Sequence, residues 1–154
     1  LIFRKTQAIY EKNIPLYYYL QLSLFVIDSD LKFMKKKIML IDDKETIAKV
    51  LFVYLSAEYD CVYFENPVKA IDYLTDGNIP DLIITDLRMP EMRGDAFLSY
   101  IKSNQLFKYV PVIILSSEDS STERIRLLEN GAEDYIIKPF NPMELKIRIN
   151  KILS

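Results

Sequence analysis

The chain has 154 residues, 50% hydrophobic and 27% charged, with a net charge of −2, which suits one domain with a core of its own. No basic block is longer than Lys35-Lys36-Lys37, which argues against direct nucleic-acid binding, since neutralising phosphates needs a basic surface. Histidine is absent, so imidazole catalysis, His metal ligation and a phosphohistidine on this chain are excluded; the single cysteine, Cys61, rules out an internal disulfide, fits a reducing cytoplasm and reads as a small core residue.

The first thirty-odd residues differ from the rest. Ile14–Ile27, IPLYYYLQLSLFVI, carries no charge and is rich in tyrosine, yet it falls short of the roughly 20 apolar residues a spanning helix needs. It loosely resembles the apolar part of a signal peptide, but no small-residue cleavage site follows. Met34-Lys35-Lys36-Lys37 reads like a fresh start. Residues 1–33 are therefore expected to be an N-terminal extension from upstream of the true initiator Met34; an extension packed on the domain and a membrane or export segment are the alternatives. Residues 34–154 form the expected domain.

From Met34 onward short β-type runs alternate with helical periodicity. Ile38-Met39-Leu40-Ile41 is the first strand, and a helix follows with Ile47, Val50, Leu51, Tyr54 and Leu55 on one face. Cys61–Phe64 is the second strand. Asn66-Pro67 opens a helix as N-cap and first turn, Ile71 and Leu74 face inward, and Gly77 stops it. Asp81–Thr85 is the third strand; a turn from Pro90 to Gly94 leads to a helix with Phe97 and Ile101 inward. Val110–Leu115 is the fourth strand. Ser120 and Glu123 have capping-box spacing for a helix carrying Ile125 and Leu128, ended by Asn130-Gly131. Tyr135–Ile137 is the fifth strand, and Asn141 caps a last helix whose inner face is Leu145, Ile149 and Ile152.

Five apolar strands, each followed by a helix, predict an α/β doubly wound parallel sheet with helices on both faces. Ligands in such sheets bind beyond the carboxyl ends of the strands, where the strand order reverses. The residues expected there are Asp42 and Asp43, Asp86, Ser116 and Ser117, and Lys138 followed by Pro139. Taken singly, each has a bland explanation: an Asp pair before a helix is often a cap, and a Lys-Pro is usually a loop. Four strands ending in complementary chemistry are harder to ascribe to chance. Clustered carboxylates repel one another unless a cation intervenes, and Mg²⁺ is a hard ion suited to such a set. Lys138 and a serine hydroxyl suit phosphate oxygens. With only three glycines and no Gly-rich cradle for a nucleotide, transfer of a phosphoryl group onto a carboxylate is the chemistry that remains.

The segments MLIDD (39–43), PDLIITDLRMPEMRG (80–94), PVIILSS (111–117) and GAEDYIIKPF (131–140), in that order and spacing, resemble the receiver domain of two-component response regulators over residues Lys36 to Leu153. The resemblance implies a flavodoxin-like five-stranded sheet in the order 2-1-3-4-5. It implies Asp86 as phospho-acceptor, Asp43 as a direct Mg²⁺ ligand with Asp42 acting through water, and the Arg88 backbone carbonyl completing the metal shell. Lys138 would bind phosphate, Ser116 would be the switch hydroxyl and Tyr135 its aromatic partner, turning inward on phosphorylation; the Lys138-Pro139 bond would be cis. The implied role is a cytoplasmic, phosphorylation-dependent signalling switch rather than an enzyme. Its donor would be a sensor histidine kinase or phosphotransfer protein, and its output a separate effector, or a homodimer, bound through the face of the fourth helix, fifth strand and fifth helix. A phosphorelay intermediate or phosphate sink without docking output is the alternative, and neither nucleic acid nor membrane is an expected partner. The chain departs from the family pattern at Arg93, normally an acid, and at Ser117, normally Ala or Gly. Arg88 and Glu118 are placed to pair across the mouth of the site and shield an acyl phosphate.

Overall fold

The computed structural model describes residues 35–154 and, upstream, the helical positions Tyr17, Leu20, Gln21 and Leu24. Met34, and the extension expected over residues 1–33 apart from those four positions, lie outside the described residues. The chain divides into two units, Leu1–Lys35 and Lys36–Ser154. Among the described residues no helix is long and apolar enough to cross a membrane.

The second unit alternates strand and helix throughout: β1 (Lys37–Ile41), α1 (Glu45–Leu55), β2 (Asp60–Phe64), α2 (Pro67–Thr75), β3 (Leu82–Asp86), α3 (Gly94–Ser103), β4 (Val112–Ser116), α4 (Ser121–Glu129), β5 (Asp134–Ile137) and α5 (Pro142–Leu153). The strands are all parallel and lie in the order β2-β1-β3-β4-β5. Successive strand residues point to opposite faces, so each central strand feeds two cores. Met39, Ile41, Ile83, Val112 and Ile114 pack with Ala70, Leu74, Phe97, Ile101 and Leu127 from α2, α3 and α4. Ile38, Leu40, Ile84, Ile113 and Leu115 pack with Leu51, Leu55, Leu145 and Ile149 from α1 and α5. Cys61 is half-buried and packs against this second core.

The expected boundary signals act as caps. Asn66 accepts from the Lys69 N–H, Ser120 from the Glu123 N–H and Asn141 from the Met143 N–H. Gly77 and Gly131 end their helices with φ of +90° and +97°, where a side chain would be strained. One helix presents a different face from the one expected, and a second buries neither of the apolar residues that mark it in sequence. In α1, Val50 and Tyr54 are exposed and Ala48 is buried with Leu51 and Leu55. In α4, Ile125 and Leu128 are exposed and Leu127 alone is buried. A short helix laid on a sheet buries a narrow stripe, and small residues such as Ala48 fill it as well as large ones.

Candidate functional site

The strand register assembles the site. Ile41 lies beside Thr85, so the next residues, Asp42 and Asp86, stand side by side at the carboxyl edge. Asp86 pairs with Leu115, which sets Ser116 one step further out; Ser116 pairs with Ile137, which sets Lys138 beyond it. Asp86 and Ser116 are the last residues of β3 and β4 rather than the first of the following loops, and both are buried along with Asp42. The Lys138 N–H donates to the Ser116 carbonyl at 2.7 Å, and the Lys138-Pro139 peptide is cis.

Polar contacts then satisfy the buried groups, as burial demands. The Lys138 ammonium bridges two carboxylates, donating to Asp42 Oδ2 at 2.7 Å and to Asp86 Oδ1 at 2.6 Å. The other oxygens accept backbone N–H groups two residues on, Asp42 Oδ1 from Lys44 at 2.8 Å and Asp86 Oδ2 from Arg88 at 3.0 Å. The Tyr63 hydroxyl donates to the Asp42 carbonyl at 2.8 Å. Burial pushes the Asp42 carboxyl above its usual range, against the bonds from Lys138 and Lys44. Burial also works against the Lys138 charge, but its bonds to Asp42 and Asp86 outweigh it and hold the ammonium more firmly protonated than usual.

Asp43 is exposed at the rim, and one oxygen each from Asp42, Asp43 and Asp86 lie within 4.8 Å of one another. Three carboxylates against one ammonium leave an excess of negative charge, with oxygen donors converging from β1 and β3. This donor set fits a hard divalent cation such as Mg²⁺.

Glu118, which the sequence singles out only as a partner for Arg88, joins three parts of the site. Its N–H donates to Ser116 Oγ at 3.0 Å, its carbonyl accepts from the Tyr135 hydroxyl at 2.8 Å, and its carboxylate pairs with the Arg88 guanidinium. Tyr135 already lies inward in this structure, 6% exposed, rather than waiting outside for a phosphoryl group. The Arg124 guanidinium lies 5.9 Å from the Tyr135 ring centre, within cation–π range. Gly94, which the sequence marks only as the end of a turn, is a second such residue. A Cβ there would stand 2.3 Å from the Asp86 carbonyl oxygen, so only glycine lets α3 begin this close to the end of β3. Ser117 is exposed beside the site, and Arg93 turns away from it toward Asp95 and Glu123.

Comparison with known proteins agrees with this arrangement. A family model described as response regulator receiver domain matches residues 38–150. Histidine kinase P4 of Formosa agariphila is 36% identical over 120 residues, covering 78% of this chain and 9% of that protein. Phosphate regulon transcriptional regulatory protein PhoB of Pseudomonas aeruginosa is 35% identical over 119 residues, covering 77% of this chain and 52% of that protein. The chain thus spans about half or less of the length of these curated relatives. Among solved structures, the receiver domain of Francisella response regulator 1452 superposes with a TM-score of 0.70 at 30% identity, covering 77% of this chain and 96% of that one. Chemotaxis response regulator CheY4 of Vibrio cholerae superposes with a TM-score of 0.71 at 26% identity, covering 78% and 100%.

Proposed function

The chain belongs to the response regulator receiver domain family, and on that premise we propose that it is a switch set by transfer of a phosphoryl group from a phosphohistidine to Asp86. The observation that carries this is the Lys138 ammonium held between the buried Asp42 and Asp86 carboxylates, where it can follow an incoming phosphoryl oxygen. The donor's N–P bond breaks as an Asp86 oxygen bonds to phosphorus; the imidazole keeps the electron pair of the broken bond. Asp43 directly, Asp42 through water, Asp86 and the Arg88 carbonyl would hold Mg²⁺, which supplies charge neutralisation for the phosphoryl oxygens.

Ser116 Oγ accepts from the Glu118 N–H and keeps its own O–H to donate toward a phosphoryl oxygen. Through Glu118 that movement reaches Tyr135, and through β5 the face formed by α4, β5 and α5. That face carries exposed Ile125, Leu128, Met143 and Ile147, apolar surface suited to an effector protein or a second copy. Phosphorylation must favour the active state by about 5 kcal/mol to move the population from mostly off to mostly on. A histidine kinase or phosphotransfer protein as donor is in keeping with relatives that are themselves kinases and regulators.

The deciding experiment incubates the protein with a small-molecule phosphodonor, with and without Mg²⁺, and reads intact mass, with Asp86→Asn as control. One added phosphoryl group that needs both Mg²⁺ and Asp86 is expected. No phosphorylation under any condition would leave a module that acts by binding alone. A group drained at once by a donor kinase, with no gain in partner affinity, would favour the relay or sink role.

A further inference from the structure

Four charged side chains close into a ring between α3 and α4. Arg93 donates to Asp95 at 3.1 and 3.3 Å and to Glu123 at 3.4 Å. Arg126 donates to Asp95 at 2.9 Å and to Glu123 at 2.8 and 3.0 Å. Each carboxylate thus meets both guanidinium groups. The two acids are 19% exposed, the arginines 41% and 44%, so the ring is better shielded than a lone surface pair, and a network holds geometry better than isolated pairs do.

Its position gives it meaning. Asp95 sits in the first turn of α3, the helix that starts against the Asp86 carbonyl. Glu123 sits in the first turn of α4, the helix that follows the loop from Ser116. The contacts Arg126–Asp95 and Arg93–Glu123 cross between the helices. Apolar packing beneath α4 is thin, since Leu127 is its one buried residue. The helix is therefore fixed largely by charge, through Glu123 in its first turn and Arg126 in its last.

We propose that the Arg93–Asp95–Glu123–Arg126 ring is a positioning device that clamps α4 to the start of α3 and so sets how readily the loop from Ser116 through Glu118 rearranges when Asp86 is phosphorylated. The role in switching rests on the acceptor function assigned to Asp86; the clamping itself rests on the contacts alone. A two-state element responds to any contact present in only one of its states, and a coupling of this kind changes populations by about fivefold or more.

The test is a charge-swap cycle: Asp95→Arg, Arg126→Asp and the two together, with Asp95→Asn as a milder variant should a swap fail to fold. Amide hydrogen exchange is read across α4 and residues 117–120, with α1 as internal reference, and the initial rate of Asp86 phosphorylation by phosphoramidate with Mg²⁺ is read by intact mass. The expected result is exchange in α4 faster by about fivefold in each single variant, a changed phosphorylation rate, and return of both toward wild type in the double swap. Unchanged α4 exchange in the single variants overturns the clamp. Faster exchange with an unchanged phosphorylation rate overturns its part in switching and leaves an ordinary stabilising cluster. A wild-type protein that takes no phosphoryl group refutes the acceptor role instead, and the exchange pattern then decides alone whether the ring holds α4.

Discussion

Arg88 and Glu118, each two residues beyond the end of its strand, form an ion pair that joins the loops after β3 and β4 beside Asp86. An acyl phosphate is lost when water reaches phosphorus in line, so a closed pair should lengthen its life. Both side chains are substantially solvated, 54% and 37% exposed, which limits the effect to the range of an exposed pair, up to about fivefold for roughly 1 kcal/mol. The phosphoryl group on the wild-type protein is expected to outlive that on the Arg88→Ala/Glu118→Ala double variant by that order, measured as decay of the phosphorylated mass after the donor is removed. Equal lifetimes would count against shielding. Gly94 gives a second prediction of a different kind. Its would-be Cβ meets backbone, the Asp86 carbonyl oxygen at 2.3 Å, which cannot turn aside as a side-chain end would. Gly94→Ala should cost about 1–3 kcal/mol by overpacking, seen as a lower urea midpoint, and should slow phosphorylation by shifting the end of β3.

Among helices α1 to α5, α4 buries the fewest residues, Leu127 alone, which leaves polar groups a larger part in holding it. Its Ser120 cap accepts from the Glu123 N–H at 3.2 Å, and Ser120→Ala is expected to cost about 1 kcal/mol, measured by urea unfolding. The ring adds a pH dependence. At Asp95 burial works against charge, but hydrogen bonds from Arg93 and Arg126 outweigh it and hold the carboxyl below its usual range; Arg126 does the same for Glu123. Acids depressed in the folded state contribute stability above their unfolded pKa values of about 4 and lose it as pH falls through the folded values. The wild-type urea midpoint should therefore drop more steeply below about pH 4 than that of Asp95→Asn/Glu123→Gln; parallel curves would show that the ring does not stabilise the fold. The ring itself was not visible in sequence, since Asp95 and Arg126 are 31 positions apart and charges carry no period. What was legible came from local rules: alternating apolar strands, Asn and Ser caps, glycine stops, and polar residues at strand ends. The faces of α1 and α4 were not. Ile125 and Leu128 have helical spacing, but spacing shows that two residues share a face, not that the face is buried. The site was read more fully than the helix faces because parallel strands bring their ends to one edge whatever the details of packing, whereas Glu118's three contacts depend on how a loop folds.

For the whole molecule, the acidic edge is a local excess of negative charge maintained by the fold. The unfolded chain scatters Asp42, Asp43 and Asp86 over more than forty positions, so a cation that needs all three binds the folded state almost exclusively. Such a ligand stabilises by mass action, about 2.7 kcal/mol at a hundredfold excess over its dissociation constant. Mg²⁺ should thus raise the unfolding midpoint in a saturable way, beyond the shift produced by NaCl at equal ionic strength. Asp43 separates the binding from the core: it is exposed at the rim, so Asp43→Asn should leave stability without Mg²⁺ nearly unchanged while removing most of the Mg²⁺-dependent gain. Asp86→Asn differs, because it also removes one of the two carboxylates that Lys138 bridges and changes the charge balance of a buried cluster. If wild type and Asp43→Asn gain equally from Mg²⁺, the ion acts by general screening and the three-carboxylate site is not its ligand set. If only the wild type gains, the stability that Mg²⁺ adds and the chemistry assigned to Asp86 depend on the same few oxygens at the end of the sheet.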